Sequence, residues 1–515
     1  VHTIVQEPAL PNTTEEHASH RAQGHEVAVA VRNGLKLAGS LILTWSVAMI
    51  VKLQVPAHLG PVRQGHFGFA ENFAALFFAC TGLGFDTYVM KEVSVRAKHA
   101  SEVVGGVFAL RTIMSAVLLI AMIATLWITR RPREILLTAV VFGVSNLLIA
   151  NNLTLGAVLQ AGSRVGGIAT SNVASKIVWG ASLLLGLHFE AALPILAAAL
   201  PLSELLKMVM LLPAAGREMG LRYRIDARAT GKALVASMPY FVNSLALNIL
   251  TSLGISVLEF VGHDEREVGW FAADLNLSNL CMLLSPLIGA VVMPMLSRAH
   301  ARSESEGMDV LRRSLEGLIV LIAPITVLVS AGSDVLVHLA FGEKFAPAAP
   351  GLSILSLVFV MTYLDTMLAI ALTIAGRGWS VTIVSVGSVF VNAAMMLVFV
   401  PAGRHLIGVG GECAGAATAV IATEVFVLVA MISRFDESPL DPRIVRVLLK
   451  SVAIGALVLL LDRQLRRIGS IRLAVDATIY VTMALLLRVV RIGELRNAFR
   501  AIRLRGPSIV PGIDR

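Results

Sequence analysis

Residues 103–128 read VVGGVFALRTIMSAVLLIAMIATLWI, with Arg111 the one charged side chain among them. A helix of that length rises about 39 Å, and the hydrocarbon core of a bilayer is about 30 Å thick. One such run could be a buried core helix. What decides the fold is that about fourteen of them follow one another almost without pause. They are expected at 33–53, 67–89, 103–128, 135–158, 166–188, 190–213, 235–260, 268–292, 313–333, 351–375, 380–400, 411–432, 447–461 and 472–490.

Composition agrees. Hydrophobic residues make up 56% of the chain and charged residues 15%, against about 25% charged in a soluble domain. Too few charges remain to clothe a water-facing surface of this size. The apolar runs are continuous, not alternating in ten-residue segments as a β-barrel requires, so the spans are helices that satisfy their own backbone groups. The expected fold is an all-α polytopic membrane protein. Its connecting segments are short and leave no room for a soluble catalytic domain of about 100 residues.

The charged minority sets orientation. The formal charge of +9 does not imply nucleic acid, because cytosolic loops of membrane proteins collect Lys and Arg. An even number of spans puts both ends on one side. Placing them in the cytosol puts most of the 43 Lys and Arg there, chiefly in the central loop (Arg217, Arg222, Arg224, Arg228, Lys232) and the C-terminal tail. Arg130, Arg131 and Arg133, and Arg463, Arg466 and Arg467, run against this bias without outweighing it. The first 30 residues are polar and carry no secretory signal pattern; residues 1–32 are expected to be a disordered cytosolic tail, with His17, His20 and His25 solvated. Residues 491–515 form a basic tail with Leu495, Phe499 and Ile502 on one face and Arg496, Arg500 and Arg503 on another, fitting a surface helix or a stop-transfer segment equally. Cys80, Cys281 and Cys413 lie in or beside apolar spans, without the paired spacing of a metal site or disulfide framework. No cofactor is expected.

The chain repeats itself. Gly68 in Phe67-Gly68-Phe69 and Gly269 in Val268-Gly269-Trp270 are 201 positions apart, as are Cys80 and Cys281, while Arg96 and Arg298, and Arg111 and Arg313, are 202 apart. Six spans per unit make the repeat parallel, with a pseudo-twofold axis along the membrane normal. The expected organisation is an N-lobe at 33–214, a cytosolic linker at 215–234, a C-lobe at 235–432 and an extra helix pair at 433–490. Two lobes around a cleft are the architecture of a transporter that rocks between facing states. No GxxxxGK[ST] phosphate loop is present, so ATP hydrolysis by this chain is not expected.

Particular residues also carry a family resemblance. Leu59-Gly60-Pro61, Phe67-Gly68-Phe69, Leu83-Gly84-Phe85 and Lys91-Glu92-Val93 resemble the start of the polysaccharide exporters. So do Phe341-Gly342-Glu343-Lys344-Phe345-Ala346-Pro347-Ala348 and Gly408-Val409-Gly410-Gly411 with Ala414–Ala419. The chain resembles the O-antigen and polysaccharide flippases of the multidrug/oligosaccharidyl-lipid/polysaccharide exporter superfamily, from residue 33 to about 490. The Val62–His66 stretch is longer than the family's usual gap before the Phe-Gly pair. The resemblance implies flipping of a polyprenyl-diphosphate-linked oligosaccharide from the cytosolic to the outer leaflet of a bacterial inner membrane, with membrane lipids, a polysaccharide polymerase and glycosyltransferases as partners.

Moving an anionic head group through hydrocarbon needs a wet cleft with positive charge and hydrogen-bonding side chains. Ionisable groups inside spans cost several kcal/mol unless they face a cavity or a partner. Arg111 and Lys176 are therefore candidates for the diphosphate, each open to the alternative of a structural ion pair, for Lys176 with Glu204 or Asp86. Lys36 and Arg313 lie nearer the cytosolic face, where snorkelling competes. Asn72, Asp274, Asn276, Asn279, Asn243 and Asn248 are candidates for sugar hydroxyls, with interhelical hydrogen bonding as the alternative. Asp365 and Glu424 could hold a coupling proton or sodium ion, or be neutral buried carboxyls. Three other activities stay open: a lipid II flippase, an ion-coupled multidrug antiporter, and a membrane glycosyltransferase or polymerase, which would want a larger outer loop than Gly262–Glu267.

Overall fold

The computed structural model describes residues 13–82, 84–85, 89, 100–162, 165–219, 227–282 and 285–489, with side chains over the same residues apart from 13–38 and short runs within 100–103, 165, 218–243 and 285–291. Among the described residues the chain is helical with no strand. The helices are α1 Thr13–Phe78, α2 Ala100–Ile128, α3 Arg133–Ala161, α4 Val165–His188, α5 Leu193–Ala197, α6 Ala199–Met219, α7 Ala227–Val261, α8 Glu265–Cys281 and α9 Ser285–Arg302. They continue as α10 Glu304–Ala331, α11 Ser333–Phe341, α12 Ala349–Leu355, α13 Val358–Ile374, α14 Gly378–Ile407, α15 Gly411–Ile432, α16 Pro442–Leu465 and α17 Arg472–Leu486.

Eleven stretches are long and apolar enough to cross a membrane. Two of them, Gly39–Gly82 and Pro442–Leu486, run to 44 and 45 residues, twice what one crossing takes. The first is broken at Gly60, whose φ of 74° and ψ of 169° lie outside the helical region; glycine tolerates that conformation, which costs other residues. Lys52 and Glu71 line the same cavity, though 19 residues of straight helix would separate them by about 28 Å. The chain therefore turns back at Gly60. The second stretch reverses at the 3-10 segment Arg466–Ile471, around Gly469. Counting these two double, and joining α8 to α9 as the span expected at 268–292, returns the fourteen crossings. The segment 54–66, left between the first two expected spans, is helical on both sides of Gly60, and α1 begins at Thr13, inside the stretch expected to be a disordered tail. Glu15, Glu16, Ala18, Arg21 and Ala22 are good helix formers, and that stretch holds no proline after Pro11.

The turns at Gly60, Arg130, Glu190, Gly262, Gly342, Gly408 and Gly469 lie at one end of the bundle, which we call the Gly60 end; the turn at Ser303 lies at the other. At the Gly60 end a single apolar core joins the first and second halves of the sequence. Val51, Phe69, Phe73, Met122 and Leu183 share it with Ile255, Phe271, Phe345, Leu352 and Ala417. At the Ser303 end the core divides. One cluster gathers Phe85, Val107, Leu155 and Leu211, with Phe241 against it. Another gathers Leu296, Leu315, Leu368, Ile444 and Tyr480. The second half of α1 and α8 cross where their backbones touch: a Cβ on Gly65 would stand 2.6 Å from the Glu265 carbonyl, and one on Gly269 would collide with the Pro61 carbonyl. These are the segments that the repeat pairs.

Candidate functional site

Bordered by Phe67, Ile255, Phe271 and Ala272 of the joined core lies a cavity of about 410 Å³ and, adjoining it, a second of about 140 Å³; both are lined by Lys52, Gln64, Glu71 and Asn276. The reversal at Gly60 brings Lys52 from one arm of α1 beside Gln64, Glu71 and Asn72 from the other. Lys176 on α4 enters the smaller chamber, its ammonium 3.8 Å from the centroid of the Trp179 ring. That spacing gives a cation–π contact. The charges around Lys176 are Lys52, Glu71, Glu204 and Lys207. Glu204, one expected partner, instead accepts from Asn152 Nδ2 at 2.8 Å.

The lining also carries amides, hydroxyls and a carboxyl: Asn276 and Asn279 on α8, Thr251 on α7, Thr362 on α13, Asn392 on α14, and Thr423 and Glu424 on α15. Asn276 and Asn279 share a face because they are three residues apart on a helix. Asn392 Nδ2 donates to Thr423 Oγ1 at 3.1 Å, leaving Asn392 Oδ1 without a partner among the described residues, as is Gln64 Oε1. Such buried acceptors are costly unless a ligand or water donates to them. Asp365, one turn along α13 from Thr362, is buried, and neither of its oxygens meets a donor among the described residues. Glu424 of α15 is the ionisable neighbour of Asp365.

Of the residues singled out from the sequence, Lys176, Asn72, Asn276, Asn279 and Glu424 meet at this cavity, and Asp365 lies directly behind Glu424. Others do not reach it. Asp274 precedes Asn276 by two residues, about 200° around the helix. It is buried against α15, where Cys413 Sγ donates to it at 3.3 Å. Arg111 is fully buried. Its Nε donates to the Thr81 carbonyl at 3.0 Å and its Nη2 to the Gly82 carbonyl at 2.9 Å, while Nη1 donates to the Ala150 carbonyl and the Thr154 hydroxyl. It borders a separate cavity of about 150 Å³ together with Asn146, Asn248 and Ser252. Arg313 is exposed on α10. The side chains of Lys36 and Asn243 lie outside the described residues. Sequence reasoning missed Lys52 and Gln64, which fell at the edge of an expected span and within an expected turn. Glu71 was noticed only as a marker of the repeat.

The cavity is shut toward the Gly60 end. Arg131, in the turn between α2 and α3, pairs with buried Glu259 of α7. Its guanidinium also lies 5.5 Å from the Phe69 ring and 4.9 Å from the Phe260 ring. His66 Nε2 stands 3.1 Å from Glu265. Among the described residues no three His, Cys, Asp or Glu side chains gather as metal ligands would.

A profile of the family described as polysaccharide biosynthesis protein matches residues 30–300. No curated protein matches the chain. Among solved structures, the lipid II flippase MurJ in an inward closed conformation aligns with a TM-score of 0.67 at 12% identity, over 92% of this chain and 100% of its own. An inward-facing multidrug resistance MATE family transporter of the MOP superfamily aligns with a TM-score of 0.61 at 15% identity, over 76% of this chain and 93% of its own. A MOP superfamily transporter from Pyrococcus furiosus gives 0.54 at 15% identity, over 78% and 94%. At these identities the likeness is one of fold.

Proposed function

Because the chain belongs to the polysaccharide biosynthesis family, we propose that it is a transporter that carries a polyprenyl-diphosphate-linked oligosaccharide across the cytoplasmic membrane of a bacterium by alternating access, without catalysing a reaction. The observation that carries this reading is the cavity itself: Lys52 and Lys176 share its lining with carboxyls, amides and hydroxyls, beneath an end joined by the Arg131–Glu259 pair. The lysines supply what a diphosphate needs. Lys52 and Lys176 approach it as point charges, and the indole of Trp179 holds the Lys176 ammonium in place. Glu71 offsets the lysines while the site is empty and yields them to a stronger anion. Gln64, Asn72, Asn276, Asn279 and Asn392 supply the donors and acceptors that sugar hydroxyls require.

In this reading both termini are cytosolic, by the distribution of Lys and Arg. The Gly60 end then faces outward, and the cavity stands ready to receive its load from the cytosolic side. Spans 1–6 and 7–12 act as the two lobes, and α16–α17 as an accessory pair. Asp365 and Glu424 take up the coupling proton or sodium ion. A polymerase and glycosyltransferases would meet the cargo on either side.

The test replaces Lys52 and Lys176 together with alanine. Export of lipid-linked glycan should fall at least about tenfold, the change that one charge-assisted contact of roughly 1.5 kcal/mol makes, at unchanged protein level. Normal export by the double variant overturns the assignment. Deleting the protein should leave lipid-linked glycan facing the cytosol; drug sensitivity with an intact glycan coat would instead indicate a drug antiporter.

A further inference from the structure

The accessory pair α16–α17 is apolar outside and polar within. Leu449, Val452, Leu460 and Val481 stand exposed on its outer face, where hydrocarbon is their solvent. Along the inner face of α17, Arg472, Asp476 and Tyr480 recur every fourth residue, one above another, and all are buried. Ser451 and Asp462 of α16 are buried with them. Polar and ionisable side chains inside a membrane pair are costly unless they find partners or bind something.

Arg472 has partners. Its Nε stands 3.0 Å from Asp462, and its Nη2 pairs with Asp334 at the start of α11. The Asp334 side chain is 47% exposed and stays hydrated. Asp476 is different. It is 0% exposed, one turn along α17 from Arg472, and neither of its carboxyl oxygens meets a donor among the described residues. Its ionisable neighbours are Asp462 and Arg472. The other charges nearby in sequence are turned elsewhere. Arg463, Arg466 and Arg467 are exposed, His338 of α11 is exposed beside Glu343, and Glu316 of α10 pairs with Arg443 at the Ser303 end. Tyr480 lies one turn deeper on the same face.

Fully ionised, the buried trio would hold one positive charge, on Arg472, and two negative charges, on Asp462 and Asp476. That leaves one negative charge uncompensated where water cannot screen it. Two carboxyls sharing a site do not both ionise readily, and one proton makes the trio neutral. A metal ion would do the same, but among the described residues no three acidic, His or Cys side chains gather as its ligands would. We infer that Asp462 and Asp476 hold one proton between them, and that this proton-binding site completes the fastening of the accessory pair to the junction of α10 and α11. With the proton in place, Arg472 is free to bridge Asp462 and Asp334, and the Leu473 side chain lies against Gly332 at that junction. Without it, ionised Asp476 competes with Asp334 for the guanidinium, draws Arg472 inward and loosens the pair. None of these residues lines the central cavity, so the inference does not depend on the cargo.

The proton can be read directly in the full-length protein in lipid nanodiscs. Infrared difference spectra at neutral pH should show a protonated-carboxyl band in the unaltered protein that Asp476→Asn lacks. Asp462→Asn should lose the same band, because Asp476 then ionises as the partner of Arg472; it serves as the test should Asp476→Asn fold poorly. Stability gives a second reading. The folded chain holds a proton that the unfolded chain releases, so stability falls as pH rises, by up to about tenfold in the folding equilibrium per pH unit for one proton. Either variant should remove that share of the slope. Replacing sodium with a bulky organic cation should change neither band nor slope. A band that persists in both variants, an undiminished slope, or a response to sodium would overturn the inference.

Discussion

Behind the wall of the cavity, Asp365 is a second carboxyl neighbouring that of Glu424, which lines it. Ionised carboxylates only accept, so such a pair needs a proton or a cation between them. Asp365→Asn supplies an amide donor in place of that ion. Transport should then continue down a cargo gradient and lose its response to an imposed proton or sodium gradient, measured with ionophores in reconstituted vesicles. A variant that keeps its gradient response would remove the pair from the coupling path. These carboxyls were legible in the sequence because an acidic residue inside an apolar span has few reasons to be there; the same logic found Lys176 and the asparagines of α8. It did not foresee where Arg111 lies, at a separate cavity. The partners of that side chain are carbonyls released by a broken helix, and no pattern of side chains announces a carbonyl. Asp274 lies away from this cavity for a different reason, since two residues along a helix separate a cavity face from a packed one.

The accessory pair α16–α17 shows how one element is fastened to another. Arg472 is 3% exposed, with its Nε 3.0 Å from Asp462 and its Nη2 paired with Asp334 beside the Ala331 carbonyl. It ties both helices of the pair to the junction of α10 and α11. Removing one partner of a buried ion pair leaves the other uncompensated and costs about 3–5 kcal/mol. Arg472→Ala should therefore release the pair. Hydrogen exchange in α17 should rise while that in α2–α4 stays as it was; uniform exchange across the molecule would mean the pair is no separate unit. The spans themselves were legible in the sequence, because the length of an apolar run is dictated by the thickness of the membrane. Their exact ends were less so. The reversal at Gly60 falls within the gap expected at 54–66, but helix runs up to it on both sides, and so Lys52 and Gln64 were read as belonging to a span edge and a turn.

For the whole molecule, one apolar core at the Gly60 end and two at the Ser303 end describe a V closed at the Gly60 end. Alternating access requires that apex to open. What holds it is a backbone crossing and a small set of polar contacts between the two halves of the sequence, Arg131 with Glu259 and His66 with Glu265. Gly269→Leu should prise the crossing apart, since even a Cβ there meets the Pro61 carbonyl, and should favour a form open at the Gly60 end. The opposite manipulation is more decisive. With the native cysteines replaced, His66→Cys and Glu265→Cys joined by a short reducible bifunctional thiol reagent should arrest transport while leaving the cavity accessible from the Ser303 side. Reduction of the link should restore it. If the linked protein went on transporting at its full rate, the apex would not need to part, and a rocking motion about the central cavity would be the wrong description of how this fold moves its cargo.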